Sequence, residues 1–588
     1  MPFYAPSASP SSWRRDLCLL GLALALWFGL FLGSRPLNNP DEGRYTEIPR
    51  EMAATGDYVT PRLNGVKYFE KPPLAYWLSA VTFEVAGVNE WSARLWVAVF
   101  AAAGGLMTYA AGRALHGRST GLWAALVLAT ALLYYGLSRV ILLDLIVAVT
   151  MAGALFAFLL GVRTPAGPRR RWLFYTFYAC MALAVLTKGL IGFVLPCAAA
   201  FLWLLIFNQW SSLRPCYPVS GALLLLAIAA PWHVLAALRN PSVDGTVWPG
   251  YARGLALHQA DQDPGWLWFY FVREHYLRFT TREHGRFEPW WFFIPVLVAG
   301  LLPWSVFGFQ AVRRQLVGGW KNRQADITTW FLVTWIVVIT AFFSKSQSKL
   351  APYILPVFPA AAVLIGRFLA ESFAANTARA LRPGLWVFAA LLVILAGGAA
   401  FAPLPSKFAS LHDGLFLWRA FLVLALLGGA AAGGLALRRG RERLALIALT
   451  AALATLMASA NMIAGRFDRR TTRDVALALK PLLRPGDEVF SVNTYAQDFP
   501  VYIGRTVDVV HYRGEMEYGI IAEPALTADR YIDTARFRER WLAAPRAYAL
   551  IRKSSRTDVF GDGTLPATTV SESDFFRVVT NQPAPPSS

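Results

Sequence analysis

Apolar stretches of spanning length recur along most of the chain, each separated from the next by a polar break. They fall near 16–33, 91–113, 119–137, 140–161, 172–187, 189–207, 219–238, 289–311, 327–343, 351–370, 384–402, 415–437 and 443–464. A helix needs roughly 20 apolar residues to cross the hydrocarbon core, so the pattern predicts about thirteen transmembrane helices, with 172–187 and 327–343 short. Two breaks, 34–90 and 239–288, are far longer than a connection requires. The first has an apolar middle, Pro72 to Val85, suited to a helix lying in the membrane interface. The second is dense in Trp248, Tyr251, Trp266, Trp268, Tyr270 and Tyr276, which suit the headgroup level. From about Gly465 the pattern changes. Asp487 to Val492, Val507 to Tyr512 and Ala547 to Ile551 read as strands, and Arg536 to Leu542 as a helix. The expected organisation is a transmembrane domain over 1–464, including loops 34–90 and 239–288, a small α/β domain over 465–580, and a disordered Pro/Ser-rich tail over 581–588.

Composition agrees with that class. Hydrophobic residues make up 56% of the 588 residues and charged ones 16%, with mean hydropathy +0.42, the balance of a polytopic membrane protein. The formal charge of +20 does not indicate a nucleic-acid partner, because the basic residues form short clusters between apolar runs. With the N-terminus inside, the inner loops collect Arg113 and Arg118, Arg163 with Arg169 to Arg171, and Arg214. They then collect Arg313, Arg314, Lys321 and Arg323, Arg379 and Arg382, and finally Arg438, Arg439, Arg441 and Arg443. That is the positive-inside pattern, and an odd span count then places the C-terminal domain outside. Arg14 and Arg15 precede the first run without a small-residue cleavage site, so it is expected to remain as a span. Cys18, Cys180, Cys197 and Cys216 offer neither a disulfide framework nor a CxxC metal site.

The candidate chemistry lies in the first long break. It reads Asn39-Pro40-Asp41-Glu42-Gly43-Arg44-Tyr45, then Tyr68-Phe69-Glu70-Lys71-Pro72-Pro73. Carboxylates such as Asp41 and Glu42 position or deprotonate an acceptor, and cations such as Arg44 and Lys71 neutralise a leaving phosphate. A solvated loop would carry the same charges. Asp144, near the outer end of the fourth run, either pairs with Arg139, caps a helix or acts beside Asp41. Lys188 ends the fifth run, where snorkelling alone accounts for it. Lys345, Lys349 and Tyr353 suit a phosphate, or the lysines are simply solvated. Glu70 and His275 are competent ligands for a divalent metal, zinc or magnesium, although an ordinary hydrogen-bonded histidine fits equally. There is no phosphate-cradling Gly-rich loop ending in Lys-Ser/Thr, no HExxH and no GxSxG. A transporter would show internal repeats and mid-membrane ionisable pairs, and the sequence has neither feature.

The stretch from Asn39 to Tyr45 through Gly56-Asp57, Pro61 to Gly65, Tyr68 to Pro73 and Tyr76-Trp77, with Lys349 to Pro356 later, resembles the bacterial aminoarabinose transferases of lipid A. These belong to the C-type glycosyltransferase superfamily with the protein O-mannosyltransferases. The resemblance covers essentially the whole chain and implies a polytopic α-helical fold with a small extracytoplasmic α/β domain. It implies transfer of 4-amino-4-deoxy-L-arabinose from undecaprenyl phosphate to lipid A phosphate, at the periplasmic face of the inner membrane. It implies a monomer with membrane lipids as its other partners. Asp41, with Asp144 and Glu42, would be the catalytic acidic groups. Arg44, Tyr45, Tyr68, Lys71, Lys188, Lys349 and Tyr353 would line the donor phosphate and sugar pocket, and Glu70 with His275 would be the metal position. A different lipid-linked sugar or a protein hydroxyl acceptor is the alternative within the same superfamily.

Overall fold

The computed structural model describes residues 10–242, 265–281, 286–316, 319–375, 377–401, 412–467, 470–554, 559–560 and 564–583. The chain divides into two compact units. One comprises 1–32, 97–230 and 278–463; the other comprises 33–96, 231–277 and 464–588. The second unit thus gathers nearly all of both long breaks together with the C-terminal segment. Trp248 and Tyr251, and residues 584–588 of the expected tail, lie outside the described residues.

The first unit is helical. Among the described residues, eight helices of the whole chain are long and apolar enough to cross a membrane, or nine if a bent pair counts as one span. The bent pair is Phe293–Gly300 with Ser305–Gln315, turned by 105° across a break that contains Pro303, which lacks a backbone N–H. The short run near 327–343 is among the eight, as Ile327–Lys345. Helices also cover the runs near 172–187 and 189–207, as Pro168–Lys188 and Ile191–Phe207, but they fall outside that set. Burial separates inner from outer helices. Leu143–Arg163 has 89% of its apolar window buried and Ala351–Ala374 has 94%, against 28% for Leu415–Arg438. Where lipid tails are as apolar as the side chains, close packing holds helices together, and small residues permit it. Gly366 shows this, since a Cβ there would lie 2.6 Å from the Ala124 backbone nitrogen. All four cysteines are free thiols.

The second unit begins with a helix, Asp41–Thr55, where the sequence reading placed a loop. A tight hairpin follows, β1 (Arg62–Leu63) against β2 (Val66–Lys67). Its Asn64-Gly65 turn has both residues at positive φ, 52° and 82°, the conformation that Asn-Gly favours in two-residue hairpins. The apolar middle of the first break forms a helix, Leu74–Ala86, close to the expected Pro72 to Val85.

The C-terminal segment folds around a six-stranded sheet in the order β5-β4-β3-β6-β8-β7. The strands are β3 (Glu488–Val492), β4 (Asp508–Val510), β5 (Tyr531–Ile532), β6 (Ala547–Arg552), β7 (Thr568–Glu572) and β8 (Phe576–Thr580). The first four in that order are parallel, and β8 runs antiparallel to both of its neighbours, β6 and β7. Phe490, Val492, Val510, Ala549 and Val579 pack on Phe537 and Trp541 of the helix Thr534–Ala543. Asp533 caps that helix by accepting from the Arg536 N–H, satisfying an otherwise orphan donor. Strands β5, β7 and β8 were not expected. Asn581, assigned from sequence to the tail, is instead tied in, donating to the Trp541 and Ala544 carbonyls.

Among the described aromatic residues of the second break, most pack inside their own unit. Trp266 and Tyr270 are fully buried and stack with centroids 5.0 Å apart. Trp232 meets Trp266 edge-on at 5.5 Å. Only Tyr276 among the described members is largely exposed.

Candidate functional site

Asp41 opens the helix Asp41–Thr55, where the unsatisfied N–H groups favour a carboxylate. Its Oδ1 accepts from Arg44, one turn along, at 2.6 Å. The Asp41 side chain is about half exposed while that of Arg44 is buried. The Arg44 guanidinium also donates to the Tyr68 hydroxyl at 3.0 Å and pairs with Glu515 at 2.9 Å. It lies over the ring of Tyr45, which stacks on Tyr76. Gly43 explains how Glu515 comes to be there. A Cβ at Gly43 would sit 2.5 Å from the Asp498 nitrogen and 2.6 Å from the Gln497 carbonyl carbon. The helix thus runs directly against the backbone of the C-terminal domain, and Asn39 and Asp498 bond reciprocally beside it.

Glu42 points the other way. Its carboxylate accepts two bonds from Arg94, both 2.8 Å, one from Arg35 at 3.0 Å and one from the Asn38 N–H at 3.0 Å. No part of its side chain is exposed. Burial works to raise its pKa, yet the Arg94 and Arg35 guanidiniums hold the carboxyl below the ordinary glutamate value. The catalytic role expected from sequence does not fit this enclosure. Glu42 fixes the start of the helix that presents Asp41.

Lys71 pairs with Glu274 at 3.2 Å and donates to the Glu70 carbonyl at 2.6 Å; the Glu70 carboxylate is 3.9 Å away. Glu274 and His275 lie on a π-helical turn, Trp268–Leu277, a geometry often found at functional sites. His275 directs Nδ1 at the Tyr270 carbonyl, 2.6 Å away, and burial pushes its pKa down to about 4. It is therefore neutral near pH 7, with Nδ1–H donating and Nε2 basic. Glu70 and His275 are two donors, and an ammonium stands beside one of them. Among the described residues no cluster of three or more His, Cys, Asp or Glu is placed to hold a metal ion, and a catalytic metal usually takes three protein ligands. Glu70 and His275 alone do not make up such a set.

A buried acid pair anchors the same helix. Glu47 accepts from Arg50 at both oxygens, 2.6 Å each. Glu51 accepts from the Gly65 N–H at 2.8 Å, and its other oxygen meets no donor among the described residues. Burial, with Glu47 beside it, raises the Glu51 carboxyl well above the ordinary value. The folded protein therefore keeps a proton that the unfolded chain releases, and this contribution to stability weakens as pH climbs from about 4.5 toward the raised value. Glu51→Gln should flatten that part of the profile, which the unfolding temperature measured across pH will check. An unchanged profile would remove Glu51 as its cause.

The other expected residues lie in the first unit. Asp144, in the first turn of Leu143–Arg163, pairs with Lys188. Arg139, the partner considered from sequence, donates instead to the Trp27, Phe28 and Leu30 carbonyls. The Lys188 ammonium lies over the Tyr353 ring at 4.5 Å, and the Tyr353 hydroxyl accepts from Arg278 at 3.4 Å. One carboxylate, two cations and a phenol are thus brought together. Lys349 is separate from them. It is buried, and its ammonium donates to the Ser346 and Glu288 carbonyls at 2.6 and 2.7 Å.

A family model described as dolichyl-phosphate-mannose-protein mannosyltransferase matches residues 36–244, which include Asp41, Arg44, Lys71, Asp144 and Lys188. A second, the aminoarabinose transferase C-terminal domain, matches 475–581. The undecaprenyl phosphate-α-4-amino-4-deoxy-L-arabinose arabinosyl transferase of Enterobacter sp. (strain 638) is 30% identical over 428 residues, covering 70% of each chain. The chain belongs to this arabinosyl transferase family. A family member from Pectobacterium carotovorum is 28% identical over 541 residues, covering 90% of this chain and 91% of its own. The crystal structure of ArnT from Cupriavidus metallidurans bound to undecaprenyl phosphate superimposes with a TM-score of 0.80 at 27% identity, covering 98% of this chain and 99% of that one. An archaeal oligosaccharyltransferase from Archaeoglobus fulgidus shares the fold alone, with a TM-score of 0.51 at 12% identity. The arabinosyl transferase family accounts for both parts of the chain, a multi-pass membrane glycosyltransferase of the C-type fold and its α/β domain.

Asp41, Arg44, Tyr68 and Lys71 stand out in the sequence because they crowd into one break. Arg94, Gln497 and Glu515 are single polar residues in unremarkable surroundings and do not stand out, and Glu274 stands beside His275 without a pattern that gives it a role. The one available signal was Gly43, a glycine inside a charged motif, which only a close backbone approach requires.

Proposed function

We propose that the chain transfers 4-amino-4-deoxy-L-arabinose from undecaprenyl phosphate to a phosphate of lipid A, lowering the negative charge of lipopolysaccharide and with it sensitivity to cationic peptides. The observation that carries this reading is Asp41 presented half exposed on Arg44, with Lys71 held on Glu274 in the same unit. In the reaction, a lipid A phosphate oxygen attacks the anomeric carbon. The bond from that carbon to the undecaprenyl phosphate oxygen breaks, and its electron pair leaves with the phosphate. The nucleophile is already an anion, so Asp41 need not remove a proton. Its carboxylate orients the sugar and stabilises the positive charge that develops at the anomeric centre. Arg44 and Lys71 neutralise the departing phosphate.

The purified protein, given undecaprenyl phosphate-linked aminoarabinose, should release undecaprenyl phosphate only when lipid A is added. Release without acceptor, or none with it, would contradict the reading. Lys71→Ala should lower turnover by about 10²-fold or more. Lys71→Arg should restore part of it, since a planar fork replaces a point charge poorly. Normal turnover by Lys71→Ala would remove Lys71 from the donor site.

The same proposal places the protein in the bacterial inner membrane, with the N-terminus cytoplasmic and both the site and the C-terminal domain periplasmic. The support is the alternation of basic loops. A reporter active only in the periplasm should be active when fused after Arg466 and silent when fused near Arg170. The opposite pattern would put Asp41 on the nucleotide-containing side and end the lipid-linked donor argument.

A further inference from the structure

Around the Arg44 guanidinium the second unit places three carboxylates: Asp41 at 2.6 Å, Glu515 at 2.9 Å, and Glu70 near enough to act on both Arg44 and Glu515. One cation does not balance three anions. Lys71, the next cation, is shared between buried Glu274 at 3.2 Å and Glu70 at 3.9 Å, so two cations stand against four carboxylates. A site built only to hold a phosphate would not carry this acidic excess. A cationic group on the substrate would offset that excess.

Glu515 is the member of this group contributed by the C-terminal domain. Its Oε2 receives both Arg44 and the Gln497 amide, the latter at 2.9 Å. Its Oε1 has no protein partner among the described residues, and the side chain is about one-third exposed. A second, independent feature faces the same place. Tyr76 is 1% exposed, its hydroxyl has no hydrogen-bond partner among the described residues, and it lies in the field of Tyr45, Arg44, Glu70 and Glu515. A buried hydroxyl left without a partner costs free energy, and a polar ligand would repay it. The Gln497 carbonyl oxygen beside Glu515 is buried and unpartnered as well.

We infer that Glu515 is a specificity-determining residue that accepts a hydrogen bond from the ammonium group of the transferred amino sugar, with the Tyr76 hydroxyl and the Gln497 amide oxygen bonding the same sugar. This inference rests on the amino-sugar reading above and gives the C-terminal domain a part in choosing the substrate. Burial, with Glu70 and Asp41 nearby, raises the Glu515 carboxyl above its ordinary value, against Arg44 and Gln497, which lower it. A bound ammonium would favour the ionised form, so acid should weaken recognition of the amino donor specifically.

The test uses the full-length protein and two donors, undecaprenyl phosphate-linked aminoarabinose and its N-acetyl derivative, with undecaprenyl phosphate alone as a binding probe. The kcat/KM ratio of amino to N-acetyl donor cancels the titration of the acceptor. E515Q should lower that ratio by about tenfold or more, the scale of one charge-assisted hydrogen bond. Its affinity for undecaprenyl phosphate should stay within about threefold of wild type, a range too small for a lost charge-assisted bond. E515D should recover part of the ratio. In the wild type the ratio should fall as pH is lowered through the raised Glu515 value, a readout that needs no variant. An equal loss with both donors would make Glu515 only a tether for Arg44, and an unchanged ratio would also overturn the inference. A wild-type protein that uses neither donor would instead defeat the amino-sugar reading itself.

Discussion

Asp41→Asn should abolish sugar transfer while leaving a folded protein. The substitution keeps the shape of the side chain and removes one charge from a position about half exposed to solvent. Ion pairs of that kind contribute about 0–1 kcal/mol to stability. Arg44 keeps Tyr68 and Glu515 as partners after the change, so no buried cation is stranded. The rate is another matter. A carboxylate facing the charge that develops at the anomeric carbon acts mainly in the transition state, and removing such a group costs about 10²–10³-fold or more in turnover. Release of undecaprenyl phosphate by purified Asp41→Asn will check this, with its unfolding temperature as the control for folding. Near-normal turnover would remove Asp41 from the reaction.

Glu42→Gln should do the reverse, with stability lost first and activity lost as a consequence. Glu42 has no exposed side-chain surface, and Arg94 has almost none. Removing one partner of such a buried pair strands the other charge, at a cost of about 3–5 kcal/mol. Arg94 also donates to the Arg35 and Pro36 carbonyls, so the segment leading into the Asp41 helix would loosen with it. The carboxyl is held below its ordinary value near 4.5. Its stabilising contribution is therefore complete above about that pH and declines as pH falls through the lowered value. The wild type should weaken in acid, and Glu42→Gln should be weak throughout. A variant as stable as the wild type but inactive would return Glu42 to the catalytic group.

The contrast between these neighbours shows where the sequence stops being informative. Asp41 and Glu42 are adjacent acids in one motif, and composition gives them equal standing. Helical geometry turns them about 100° apart, which directs one to Arg44 and the other into Arg94, 52 residues along the chain. Lys71 likewise stood out in its motif, while its partner Glu274 lies 203 residues away and had no distinguishing pattern. The long apolar helices were legible because lipid imposes one composition on each of them. The span count was less so, because helices such as Ile191–Phe207, 17 residues long, fall short of the roughly 20 residues a span needs. In the C-terminal domain, β3 and β6 are mostly buried and rich in apolar residues, whereas β7 has no buried residue and has little to separate it from a loop.

The most direct test of the central claim is the mass spectrum of lipid A from cells that lack any other aminoarabinose transferase but make the lipid-linked donor. Cells expressing this chain should show lipid A heavier by one or two anhydro-aminopentose units on its phosphates, and cells expressing Asp41→Asn at equal levels should show none. Lipid A of unchanged mass with the wild-type chain well expressed, or equal modification by both chains, would contradict it.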